Sequence, residues 1–146
     1  MSAFTDPAFL ATLDELDKIG APEILEQTDD GTARRQRIRY RFDGELSSMA
    51  LAAVDPTKLT WVDAHVYEPE RRRASFSIEP DHYVDRFEAS GREQFLPVSE
   101  GTAWHIEVEL KVRWPVVGGL VEKAIASGLR DTLAAEAALL ERWLSR

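Results

Sequence analysis

The sequence predicts an α+β fold, a curved antiparallel sheet of about six strands wrapped around a long C-terminal helix. Three observations predict it. Runs that alternate apolar and polar residues recur between residues 23 and 114, with short turn signals between them. An unbroken amphipathic helical pattern occupies residues 116 to 145. Between the two, "RWPVVGG" changes the period abruptly, with Pro115 and the pair Gly118-Gly119 at the junction.

Composition narrows the class. A chain of 146 residues fits one domain, 1–146, and buries about two-thirds of its unfolded surface without staples. It has no cysteine, which excludes disulfides, thiolate metal sites and a Cys nucleophile and fits a cytoplasmic location. The net charge of −8 speaks against general nucleic-acid binding. The 14 arginines against 4 lysines reflect coding bias more than chemistry. The longest uncharged apolar-leaning stretch, Leu46 to Val54, is too short to span a bilayer. No basic n-region and apolar h-region of a signal peptide is expected at the N-terminus.

The elements follow in order. Thr5-Asp6-Pro7 starts a helix, with a capping side chain and then a proline whose missing N–H costs nothing there. Phe9, Leu10, Leu13 and Leu16 follow at helical spacing, and Gly20 closes the segment. "PEILEQTDDGTARRQRIRYRF" reads as a hairpin turning at Asp30-Gly31. Its second arm puts Ile38, Tyr40 and Phe42 on one face and Arg35, Arg37, Arg39 and Arg41 on the other. That arginine row is expected to be a solvated outer face, paired with acids such as Glu23 or Glu26, rather than a phosphate-binding stripe. Leu46 to Val54 is a short helix or an irregular loop.

"LTWVDAHVYE" and "RRASFSIEP" are the next strands, the second with Ala74, Phe76 and Ile78 on one face. Val84 to Leu96 places Phe87, Ala89, Gly91 and Phe95 together. "AWHIEVELKVRW" alternates most cleanly: Trp104, Ile106, Val108, Leu110, Val112 and Trp114 face in, and His105, Glu107, Glu109, Lys111 and Arg113 face out. On the final helix Val117, Val121, Ala124, Ile125, Gly128, Leu129, Leu133, Leu140 and Leu144 mark an inner stripe. Glu122, Lys123, Arg130, Asp131, Glu136 and Arg142 mark an outer one.

"FTDPAFLATL", "LTWVDAHVYE", "DHYVDRFEASG" and above all "KVRWPVVGGLVEKAIASGLRDTLAAEAALLERWL" resemble a bacterial family of unknown function in the START-like (SRPBCC) superfamily. That superfamily also holds the polyketide cyclases and the birch-pollen-allergen-like proteins. The resemblance implies a helix-grip fold with a hydrophobic cavity between sheet and helix. It gives the junction a physical sense. Pro115 ends the strand ladder, and Gly118 and Gly119 let helix and strand backbones meet, at roughly 1 kcal/mol each in helix propensity. A phosphate cradle is disfavoured, because the basic residue and longer loop of a P-loop are absent.

The implied cavity lining from the sheet is Tyr40, Phe76, Ile78, Phe87, Ala89, Gly91, Trp104, Ile106, Val108 and Leu110. The helix adds Val121, Ala124, Ile125 and Gly128. The small members Ala89, Gly91, Ala124 and Gly128 would leave volume empty. The ligand implied is an apolar or amphipathic small molecule or lipid, with no cofactor. Superfamily members usually begin with a strand that pairs with the last one. Met1 to Phe4 is too short for a strand of about five or six residues, so that strand is missing or lies upstream of Met1. Without it, Ala103 to Arg113 becomes a sheet edge, expected to self-associate.

Catalytic signals are sparse. His65, His82 and His105 lack metal-ligand spacing. Asp81-His82-x-x-Asp85 follows Pro80 in an expected turn, where Asp is common anyway. Glu93 shares parity with Phe87 and Phe95, but a bulge at Gly91 is expected to turn it outward. On the strand of Trp61, apolar parity favours Val62, Ala64 and Val66 facing in; the other choice would bring Asp63 and His65 inward. No G-x-S-x-G elbow appears. Three functions fit: a carrier or sensor of a small molecule, a cyclase- or aromatase-like enzyme, and a co-chaperone-like interaction module. An all-apolar cavity favours the first, inward Glu93 or Asp63 with His65 the second, and no cavity the third.

Overall fold

The structure is a computed structural model that describes residues 1–20 and 22–146. A helical turn at Ser2–Thr5 leads into α1 (Pro7–Leu10) and a 3-10 stretch, Ala11–Glu15. Then come β1 (Glu23–Asp29), β2 (Arg34–Arg41), α2 (Ser48–Ala53), β3 (Thr60–Glu68), β4 (Arg73–Pro80), β5 (Phe87–Val98), β6 (Gly101–Val112) and α3 (Gly118–Leu144). The strands form one antiparallel sheet in the order β1-β2-β3-β4-β5-β6. The α+β expectation is met: a six-stranded sheet with a long C-terminal helix over its concave face.

Local chemistry sets the boundaries. Asp6 accepts a hydrogen bond from the Ala8 N–H with Pro7 in the first helical turn, as the capping signal predicts. Ser47 caps α2 in the same way, which settles the ambiguous segment as a short helix. In the first hairpin Asp30 Oδ1 accepts from the Thr32 and Ala33 N–H groups, and Gly31 takes φ 83°.

The arginine row on the convex face is paired, as expected, though largely with other acids. Arg35 meets Asp30, Arg37 meets Glu79, and Arg39 meets both Asp81 and Glu23. The Arg37–Glu79 and Arg39–Asp81 pairs join β2 to the β4 side and so pass over β3. Their stems cover Val62, which is 4% exposed although it faces outward.

The core sits at one end of the concave face and is built largely by the N-terminal segment. The Phe4 ring lies 5.0 to 6.1 Å from the rings of Phe9, Tyr67, Phe95 and Trp104. Leu10, Leu13 and Leu16 close around it with Ile38, Ala74 and Leu139. α3 packs against β6 and the Ala11–Glu15 stretch. Exposed Arg142–Glu15 and Lys18–Asp131 pairs, at 2.6 and 2.9 Å, tie it to the N-terminal segment. Among the described residues no helix is long and apolar enough to cross a membrane.

The β6–α3 junction corrects one detail. A Cβ on Gly118 would lie 3.2 Å from the Val112 carbonyl oxygen, so Gly118 does serve close backbone approach. Gly119 meets nothing within 4 Å. The residue held in the left-handed region is Val116, at φ 68° and fully exposed. A β-branched side chain is strained there, and the site offers no packing in return. Val116→Gly is therefore expected to stabilise the fold by about 1 kcal/mol, raising the thermal midpoint by roughly 2–4 °C. An unchanged or lower midpoint in a melting experiment would show that the junction is unstrained.

Candidate functional site

Cross-strand register decides what faces the helix, because directly opposed residues share a face. Gln36, Ile38 and Tyr40 on β2 oppose His65, Asp63 and Trp61 on β3. Those oppose Phe76, Ile78 and Pro80 on β4. Ala74, Phe76 and Ile78 oppose Glu93, Gly91 and Ala89 on β5, and these oppose Ile106, Val108 and Leu110 on β6. Phe87 opposes Val112, and Phe95 opposes Trp104. All ten expected sheet positions therefore lie on the concave face.

Two expectations are overturned here. Trp61, Asp63, His65 and Tyr67 point inward, while Val62, Ala64 and Val66 point outward. The arginine stems over β3 provide the apolar cover that the alternation pattern assigned to the core. Glu93 also points inward and is 5% exposed. The β5–β6 register runs through Gly91 without a bulge. Gly91 serves another end: a Cβ there would collide with the Phe76 ring and the Glu107 carbonyl oxygen. Gly91 therefore admits the Phe76 ring and leaves no void.

On α3, Val121, Ile125 and Gly128 are partly buried, and a Cβ on Gly128 would meet nothing within 4 Å. Ala124 is exposed, off the inner row, and does not line the concave side. Glu136, expected on the outer stripe, lies at the centre of the inner one. The signal for this was present: Glu136 is seven residues from both Leu129 and Trp143, the spacing of one helix face. Trp104 belongs to the core around Phe4 more than to any open space.

The inward polar groups converge. His65 Nε2 lies 3.1 Å from Glu93 Oε1, and the Trp104 indole N–H donates to Glu93 Oε2 at 3.2 Å. Asp63 Oδ1 lies 2.7 Å from His65 Nδ1 but off the line of a hydrogen bond, and that buried oxygen has no hydrogen-bond partner. The His65 ring stacks between Tyr67 and Phe76 at 5.1 and 5.0 Å, which favours an imidazolium. Burial pulls the His65 pKa down, but the carboxylates of Asp63 and Glu93 outweigh it and raise it to about 10. Burial, with Glu93 and Asp63 adding to it and His65 partly opposing, raises Glu136 to about 7. Burial also pushes the Tyr40 and Tyr67 phenols well above their ordinary range, so both are neutral donors. Among the described residues Glu136 has no hydrogen-bond partner, and no group of three His, Cys, Asp or Glu side chains is placed to hold a metal.

The space between α3 and the sheet is a trough rather than a sealed chamber. Phe76, Ile78, Phe87, Ile106, Val108 and Leu110 all keep partial exposure. Two hollows lie elsewhere. One of about 690 Å³ is at Glu15, Leu139 and Arg142, and one of about 380 Å³ is on the convex face at Arg35, Ala64 and Ser77. Neither gathers polar groups aimed at a common point apart from surface ion pairs. The convergent polar groups lie on the concave side instead. Asp81, the other candidate, is engaged by Arg39 at 3.2 Å.

Over residues 1–144 the sequence matches a family described as a protein of unknown function, DUF2505. The chain belongs to the DUF2505 family. No curated protein matches it. Among solved structures, this DUF2505 chain is similar to TTHA0849 from Thermus thermophilus, known from its crystal structure. The two are 20% identical with a TM-score of 0.67, over 97% of this chain and 84% of the other. That likeness shows the fold.

The titrations give signed expectations. An acid whose folded pKa is raised loses stability as pH rises from its unfolded to its folded value. Glu136 should therefore cost stability progressively from pH 4.5 to about pH 7 and keep that full cost above it. Glu136→Gln is expected to stabilise the protein by about 2 kcal/mol at pH 8 and to do little near pH 4. A destabilised Gln variant at pH 8 in denaturant melts would contradict that environment. His65, raised from 6.5 to about 10, contributes stability that is complete below 6.5 and lost as pH climbs to about 10. Alkaline melts of wild type and His65→Ala should converge there, because only wild type has this contribution to lose.

Proposed function

We propose that this DUF2505 protein is START-like and binds a small amphipathic molecule between the sheet and α3. The observation that carries this is that a Cβ on partly buried Gly128 would meet nothing within 4 Å, while inward apolar side chains on β5 and β6 keep partial exposure. The inward cluster of Asp63, His65, Glu93 and Glu136 argues against a purely apolar ligand, so the molecule has a polar head. The same cluster favours a second reading. Glu136, with a pKa near neutrality and no partner, is suited to general acid–base work on a bound molecule, in the manner of a cyclase-like enzyme. Self-association through Ala103 to Arg113 remains a further proposal. At the Val112 end the edge is already engaged, since Glu122 of α3 accepts the Val112 N–H at 3.2 Å.

Native mass spectrometry of freshly purified protein should find a co-purifying small molecule. Gly128→Leu should abolish its retention, and the binding of an apolar fluorescent dye, while moving the thermal midpoint by only a few degrees. The added side chain would enter free space, whereas overpacking a filled core costs about 1–3 kcal/mol. A large loss of stability, or unchanged dye binding, would refute the trough as a binding site.

A further inference from the structure

The polar end of the trough has an imbalance of charge and of hydrogen bonding that specifies a head group. Three carboxylates face it: Asp63 from β3, Glu93 from β5 and Glu136 from α3. One cation, His65, stands among them, and its two ring nitrogens are committed to Asp63 and Glu93. The remaining titratable groups are the neutral phenols of Tyr40 on β2 and Tyr67 on β3. The Met1 α-amino group is within electrostatic reach of Glu93 and Arg34 but not of Glu136. Glu136 is thus the carboxylate without a counter-ion.

Among the described residues no side chain or backbone group donates to the partly buried Glu136 carboxylate on the inner helix face. Buried Asp63 Oδ1 has the charge of His65 at 2.7 Å but no aligned hydrogen-bond donor, and buried acceptors are ordinarily satisfied. Aromatic faces stand beside them: Tyr40 stacks on Trp61 at 6.0 Å, next along β3 from Asp63. Carboxylates beside aromatic rings form the chemistry that recognises organic cations. An anionic head would meet three like charges instead.

We propose that the head group taken by the trough is cationic, an alkyl- or arylammonium whose positive nitrogen sits between Glu136 and Asp63, with its apolar part along β5, β6 and the Gly128 face of α3. This inference rests on the trough reading above and adds the sign of the ligand's charge. The Asp63–His65–Glu93 arrangement then has a positioning role: it holds Asp63 inward and keeps the site acidic without leaving three carboxylates uncompensated. The ammonium supplies the counter-ion that Glu136 lacks, so binding should draw Glu136 into its ionised form and release a proton near neutral pH.

The test uses calorimetry on the whole protein with probes of one chain length below their micelle concentrations: decyltrimethylammonium, decylamine, decanol and decanoate. Both cations should bind at least about tenfold more tightly than decanol, and decanoate more weakly than decanol. For the quaternary cation, whose charge is fixed, affinity should rise by up to roughly tenfold from pH 6 to pH 8 as Glu136 ionises. Glu136→Gln should erase both the rise and the preference for cations over decanol. That variant is expected to be the more stable one at pH 8, so its loss of binding could not be blamed on misfolding. Equal affinity for cation and alcohol, or tighter binding of decanoate, overturns the cationic head and leaves the trough standing. No binding of any probe, in wild type and Gly128→Leu alike, overturns the trough reading and this inference with it.

Discussion

Every inward side chain on the sheet depends on one alignment, Ile38 of β2 opposite Asp63 of β3. Side chains alternate with a period of two, so a slip of one residue would turn Asp63 and His65 to solvent and bring Val62 and Ala64 to the core. The convex face helps to hold the register. The Arg37–Glu79 and Arg39–Asp81 pairs tie β2 to the β4 side across β3. Each is partly exposed and individually weak. Their guanidinium stems also shield Val62, so a slip would lose packing on one face while it misplaced charge on the other.

The concave side is divided by this arrangement. At one end Phe4, Phe9 and their neighbours fill the space that a sheet-covering helix would otherwise leave empty. At the other end α3 stands over partly exposed apolar side chains. The polar cluster lies at the boundary, where Tyr67 belongs to the core and His65, its stacking partner, does not. Rigid packing on one side and open space on the other are what preorganised polar groups need if they are to act on a guest molecule. Glu136 lies on the inner face of the helix where it crosses this boundary.

Much of the fold was legible in the sequence because independent signals agreed. Alternation along β6, the Asp30-Gly31 turn and the Asp6-Pro7 cap all carried through to the structure. The site was less legible, and for identifiable reasons. β3 has apolar residues at both parities, so period alone could not orient it; the cover on Val62 comes from arginines on a different strand. Gly91 has two structural uses within a strand, a bulge or room for a neighbour, and only the position of the Phe76 ring distinguishes them. Glu136 breaks the apolar stripe it sits on. A charge on the inner face of a helix is the kind of local conflict expected where function, rather than stability, chose the residue.

The meander order of the sheet has a consequence for how this interior comes into being. Each strand pairs with its neighbour in sequence, so the sheet assembles from local hairpins, a topology that folds quickly. The contacts that close over the concave face join the two chain ends, Glu15 to Arg142 and Lys18 to Asp131, across 127 and 113 residues. During synthesis those arrive last. Until α3 docks, the carboxylate of Glu136 has not met the cluster of Asp63, His65 and Glu93 that the sheet already holds together. The acidic end of the interior is completed only in the final step, when the tail of the chain returns to its head.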